Sequence, residues 1–121
     1  MEIRNLSRVT SFVTKDGSEI RELLAHRNSS IRNQSLAEAR VPPGATTTLH
    51  HHPQAEEIYY ILSGQGEMRI GPEKNSVGPG DAVAIRPGSA HQITNVGRDV
   101  LVFLCCCSPG YEHDDTVLIE E

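Results

Sequence analysis

The chain has 121 residues, 37% hydrophobic and 22% charged, with a formal net charge of −5. This is ordinary globular composition for one domain over 1–121, large enough to bury about two-thirds of the surface its unfolded chain exposes. No basic stripe is present to track phosphates, which excludes a nucleic-acid binder. The longest apolar run, Val100 to Cys107, is too short to cross a bilayer.

Met1 to Leu6 mixes Glu, Arg and Asn where a leader would be apolar, so a cytoplasmic protein is expected. Gly and Pro then divide the chain at short intervals, at Asp16-Gly17, Pro42-Pro43-Gly44, Ser63-Gly64, Gly71-Pro72, Gly78-Pro79-Gly80, Pro87-Gly88 and Pro109-Gly110. The segments between them have the length of strands, and in chain order the strand formers gather at Thr10–Thr14, Ile58–Leu62, Glu67–Ile70, Ala82–Ile85, His91–Asn95 and Val100–Cys107. Many short strands with turn signals between them predict an all-β barrel or sandwich. Ser18 to Ala25 is ambiguous. Its Ile20, Leu23 and Leu24 repeat at helical spacing behind a capping serine, yet Asp16-Gly17 is a favoured hairpin turn, and the strand is the reading adopted. Cys105, Cys106 and Cys107 are consecutive in what reads as the final strand, where neighbours face opposite ways, so free thiols are expected. Cys105 and Cys107 share one face and read as small buried hydrophobes. Asp114-Asp115 and Glu120-Glu121 read as solvated tail charges, and His26 and His113 as isolated surface residues.

The chemistry concentrates in the middle of the chain. His50 and His52 are two apart, so on a strand both imidazoles leave one face, roughly 6–7 Å apart along the backbone, and His51 points away. Pro53 breaks the ladder, so Glu57 re-enters in a new phase with Tyr59 and Ile61 on its face and Ile58, Tyr60 and Leu62 on the other. His91 heads a later strand that also carries Ile93. Taken singly, a histidine or glutamate on a strand is more often a surface or hydrogen-bonded group than a ligand. Together His50, His52, Glu57 and His91 form the imidazole and carboxylate set of a first-row transition-metal site. Tyr59, Ile61 and Ile93 are then candidates to line a pocket, though core packing explains all three nearly as well, and the Tyr59 phenol could orient an oxygen atom or donate a proton. Glu56 points to the opposite face and reads as solvated.

Residues 44–64 resemble the first motif of the cupin superfamily, with Gly44, His50, His52, Glu57 and Gly64 filling its positions. Residues 80–95 are similar to the second motif at Gly80, Gly88, His91 and Asn95, departing at Arg86, where the family usually has proline. The resemblance implies a double-stranded β-helix (jelly-roll) barrel in which His50, His52, Glu57 and His91 hold one divalent metal. Four ligands on an octahedral ion (Fe, Mn, Ni or Co) leave two positions open for water, oxygen or substrate, whereas Zn would be content with a closed tetrahedral site. The extra N-terminal strands would pair across a homodimer, as is common in the family. The implied function is a metal-dependent enzyme acting on a small oxygen-bearing molecule, with oxygenase-type chemistry favoured and Tyr59 as the catalytic side chain. Isomerase or lyase chemistry is the alternative within that class, and a non-catalytic ligand-binding barrel the alternative outside it.

Overall fold

Strict alternation sets the architecture. Along Glu56–Ser63, Glu57, Tyr59 and Ile61 are buried while Ile58, Tyr60 and Leu62 are exposed, the period of two that a strand with one covered face requires. The computed structural model describes residues 1–120. Among them are the strands β1 (Phe12–Val13), β2 (Glu19–Leu24), β3 (Ser35–Val41), β4 (His50–His51), β5 (Glu56–Ser63), β6 (Gly66–Ile70), β7 (Glu73–Val77), β8 (Ala82–Ile85), β9 (His91–Asn95), β10 (Leu101–Ser108) and β11 (Val117–Leu118). Helix is confined to two single 3₁₀ turns, Leu6–Arg8 and His113–Asp115. None of the described helices is long and apolar enough to cross a membrane.

The strands form two antiparallel sheets, in the orders β1-β2-β3-β10-β5-β8 and β11-β4-β9-β6-β7. Their inner faces meet in a core built from Ile61 and Phe103 of the first sheet and Met68 and Ile93 of the second, with Val41, Leu101, Tyr59 and Ile85 around them. This is the double-stranded β-helix expected from the sequence. β10 is not the final strand. It lies at the centre of the larger sheet, paired to β3 on one side and β5 on the other, and β11 follows it to pair with β4. The ambiguous segment after Asp16-Gly17 is the strand β2.

Besides the two-residue β11, two longer strands lie outside the sequence expectations, for different reasons. β3 carries Ala37, Glu38, Ala39 and Arg40, which are weak strand formers, and it is extended because both neighbours pair with it along most of its length. β7 reads Glu-Lys-Asn-Ser-Val and is exposed at all but its last residue. It is an edge strand, where charge discourages pairing with another chain.

Asn95 ties the turn after β9 to the end of β3. Its amide donates to the carbonyls of Val41 (2.9 Å) and Asp99 (2.8 Å), and its oxygen accepts from the Gly97 amide (2.9 Å). Gly64, at the end of β5, has φ of +91°, and a Cβ there would sit 2.9 Å from the Leu101 Cα. Both the backbone conformation and the close approach demand glycine. Gly80 has a similar φ of +92° but open space around it. Gly64→Ala is therefore expected to cost at least about 2 kcal/mol in urea denaturation, against about 1 kcal/mol for Gly80→Ala. Equal losses at the two positions would show that backbone conformation alone matters.

Candidate metal centre

The site is assembled where the two sheets face each other. β4 pairs antiparallel with β9 so that His50 and His91 are register partners, and their rings lie 4.2 Å apart between centroids. His52 leaves the chain just beyond β4, its ring 5.1 Å from that of His50 and 5.5 Å from that of His91. One ring nitrogen of each lies within 4.8 Å of the others, and all three residues are buried. Glu57 reaches them from β5 in the opposite sheet. Its Oε1 is 3.3 Å from His52 Nε2 and 3.4 Å from His91 Nε2. His51 is half-buried on the other side of β4 and stays outside this cluster.

Each imidazole is held by its other nitrogen. His50 Nδ1 donates to the Thr48 carbonyl (2.8 Å), His91 Nδ1 to the Ser89 carbonyl (2.9 Å) and His52 Nδ1 to the Asp115 carbonyl (3.0 Å). A carbonyl only accepts, so Nδ1 carries the proton, and in the neutral ring Nε2 presents a lone pair inward. His91 Nε2 and Glu57 Oε1 are buried and have no hydrogen-bond partner. Two orphaned polar atoms pointing at one another across a nest of lone pairs fit a cation, and the three buried histidines could bind a metal. The remaining oxygen of Glu57 accepts a hydrogen bond from Cys107 Sγ at 3.2 Å, which orients the carboxylate.

The electrostatics follow from the burial. Burial alone would raise the Glu57 carboxyl, but its close contacts with His52 and His91 outweigh it and bring the pKa down to about 2. His50 is lowered by burial and by the neighbouring His91, which favours the neutral ligand form. Burial also opposes charging of His52, yet Glu57 and the Asp115 carbonyl overcome it and hold His52 above its ordinary value of 6.5.

A narrow pocket of about 50 Å³ leads to these residues. Tyr59 lines it, buried, with its ring 5.9 Å from that of His91 and 4.5 Å from that of Phe103. Burial, with the Glu57 charge next, pushes the Tyr59 phenol well above its ordinary range, so it remains a donor. Ile61 and Ile93 are wholly buried in the core and do not line the pocket. Cys105 and Cys107 do line it, more than the filler role expected of them, and burial keeps both as thiols. All three cysteines are free.

Two acidic residues belong to the site although the motifs do not mark them. Asp16 Oδ2 lies 3.8 Å from His50 Nε2, while Oδ1 accepts from the Ser18 amide (2.9 Å), Ser18 Oγ (2.6 Å) and Thr14 Oγ1 (2.7 Å). The turn that Asp16-Gly17 signals is thus also the device that aims a carboxylate inward. Asp115 is no solvated tail charge. Its carboxylate accepts from the amides of Gln54 and Ala55, both at 3.0 Å, fixing the loop between His52 and Glu57 that its carbonyl also holds. Asp114 and Glu56 are exposed. His26 is exposed but not isolated, since it pairs with Glu112, and the exposed His113 contacts the Tyr111 hydroxyl.

A family model for the cupin domain matches residues 37–107, which span β3 to β10 and hold all four motif ligands. The chain belongs to the cupin family. This cupin is 48% identical over 113 residues to an uncharacterized protein of Methanocaldococcus jannaschii, covering 93% of this chain and 90% of that one. It is 33% identical over 86 residues to an oxalate-binding protein of Thermotoga maritima, covering 71% of each. Among solved structures it is similar to a predicted oxalate decarboxylase from Thermotoga maritima, with a TM-score of 0.79, 27% identity and coverage of 89% of this chain and 99% of the other.

Two outcomes are expected of this centre. Divalent-metal affinity, measured by chelator competition, should fall as pH is lowered from somewhat above 6.5, by about a decade per unit, because a proton on His52 competes with the metal. Glu57 does not limit binding, since its carboxylate persists down to about pH 2. Cys107→Ala should weaken the metal about tenfold while Cys107→Ser, which keeps a donor, should not. Equal affinities in the two variants would remove the thiol from any orienting role.

Proposed function

We propose that this cupin, as one domain over 1–121, is a metal-dependent enzyme in which His50, His52, Glu57 and His91 hold a single divalent ion. The bound ion supplies Lewis-acid polarisation of a carbonyl or hydroxyl oxygen. Around it the chain places a donor and an acceptor. Tyr59 keeps its phenolic proton and supports the role of proton donor to an oxygen atom at the centre. Asp16 presents a carboxylate oxygen on the His50 side of the same pocket, suited to take up a proton. That pairing of donor and acceptor across one pocket is the observation that carries the reading, and it favours isomerase or lyase chemistry, which only moves protons and breaks C–C or C–O bonds. The similarity to a predicted oxalate decarboxylase supports the same class. Oxygenase-type chemistry is the second reading. It is favoured by the neutral, open-sided three-histidine set, which suits Fe or Mn as well as Zn, Co or Ni.

One measurement separates them. Under argon in D₂O, the metal-loaded protein should exchange deuterium into the carbon next to the carbonyl of small hydroxyketones, followed by proton NMR. Tyr59→Phe should slow that exchange by at least about 100-fold. Consumption of dioxygen with substrate, and none of this exchange under argon, would transfer the assignment to an oxygenase. No exchange and no oxygen uptake would leave a ligand-binding barrel.

We also propose a homodimer, formed through the outer face of the larger sheet. Ile58, Tyr60 and Leu62 of β5 are each more than 40% exposed there, beside Leu104 and Cys106 of the adjoining β10. β1, the exposed N-terminal edge, is two residues long and offers little to pair with. Light scattering after size exclusion should give twice 13.3 kDa, and Tyr60→Glu should return the mass to 13.3 kDa. A monomeric mass for the unaltered protein at micromolar concentration overturns the assignment.

A further inference from the structure

We infer that Asp16 sets the ligand class of the pocket, admitting uncharged small molecules that offer a hydroxyl or amide hydrogen and turning away dicarboxylates such as oxalate. The inference rests on the metal reading given above and goes beyond it to the substrate.

The charge inventory is the basis. Of the residues that line the pocket, the ionisable ones carrying negative charge are Asp16, Glu22 and Glu57, and among the described residues no lysine or arginine lines it. The cations next in sequence to its wall are committed elsewhere. Lys15 donates to the carbonyls of His113 (2.8 Å) and Thr116 (3.2 Å), Arg21 pairs with Glu19 and Arg40 with Glu38, and a little further along Arg27 holds Glu22 at the rim together with Glu112. Glu22 shares the Arg27 guanidinium with Glu112, whereas the hydrogen-bond partners of Asp16, the Thr14 and Ser18 hydroxyls and the Ser18 amide, are all neutral. A divalent ion, the Glu57 carboxylate and the Asp16 carboxylate then sum to zero charge. An entering neutral ligand leaves the pocket neutral. An entering dianion brings two charges into a confined site beside Asp16, with no guanidinium or ammonium to receive them.

The hydrogen-bond inventory agrees with the charges. The free face of Asp16 is Oδ2, because Oδ1 is already taken by three donors. Oδ2 only accepts, so it rewards a ligand hydrogen and penalises a ligand oxygen. The selection made at Asp16 differs from the one a dicarboxylate site needs.

The test uses the full chain loaded with Co(II), whose visible spectrum reports changes in coordination. Oxalate and oxamide have the same outline and differ in charge and in bearing N–H donors. In the unaltered protein, oxamide should perturb the spectrum, and oxalate should do so only above about 1 mM. Asp16→Asn keeps an acceptor for the Ser18 and Thr14 donors and removes the charge. It should strengthen oxalate binding relative to oxamide by at least about tenfold. Asp16→Ser, checked for an unchanged Co(II) spectrum, should shift the ratio the same way. Oxalate binding below about 1 mM to the unaltered protein overturns the inference without recourse to any variant. So does an unchanged oxalate-to-oxamide ratio in both variants. Failure to take up one equivalent of Co(II) would instead overturn the metal reading, and this inference with it.

Discussion

Everything in this molecule is arranged around one buried carboxylate. Glu57 is almost wholly removed from solvent, a position that costs several kcal/mol for an isolated charge. It is tolerated because His52 and His91 stand opposite one oxygen and the Cys107 thiol donates to the other. The two histidines come from the small sheet and its trailing loop, and the glutamate and cysteine from adjacent strands of the large one. The charge thus fastens the two sheets together at the same point where it offers an oxygen to a cation. The tie between the sheets and the geometry of the cluster draw on one contact, so a change that relaxes the packing of β5 on β10 also misaims the carboxylate.

The supporting contacts share a common logic. Three ring nitrogens are anchored to backbone carbonyls, which cannot rotate away or change protonation, and this fixes both tautomer and ring direction. Side-chain partners would have left those choices open to pH. Tyr59 is treated similarly, stacked against Phe103 and buried so that its proton stays in place. The result is a centre organised before any ligand arrives.

Much of this was legible in the residues themselves. The alternation of β5 placed Glu57, Tyr59 and Ile61 on one face, and the grouping of His91 with His50 and His52 was expected from two motifs whose turns are marked by Gly and Pro. What escaped was whatever depends on tertiary pairing. β3 is alanine-rich and charged, and only its neighbours make it extended. β11 is two residues long, too short for any pattern. Asp16 and Asp115 escaped because each has a plausible local explanation, a turn and a solvated tail, that hides a second role visible only when distant segments meet. For Ile61 and Ile93, core packing proved to be the role taken, of the two that the sequence left open. They share a face with ligands but lie deeper in the barrel, where the core takes them.

The reach of Asp115 back to the loop after His52 has a bearing on biosynthesis. Until the ribosome has delivered residues as far as Thr116, the His52 ring lacks its carbonyl anchor and the amides of Gln54 and Ala55 lack their carboxylate clamp. The longer strands of both sheets are delivered before that point, so the direction of the His52 ring is the last part of the cluster to be settled.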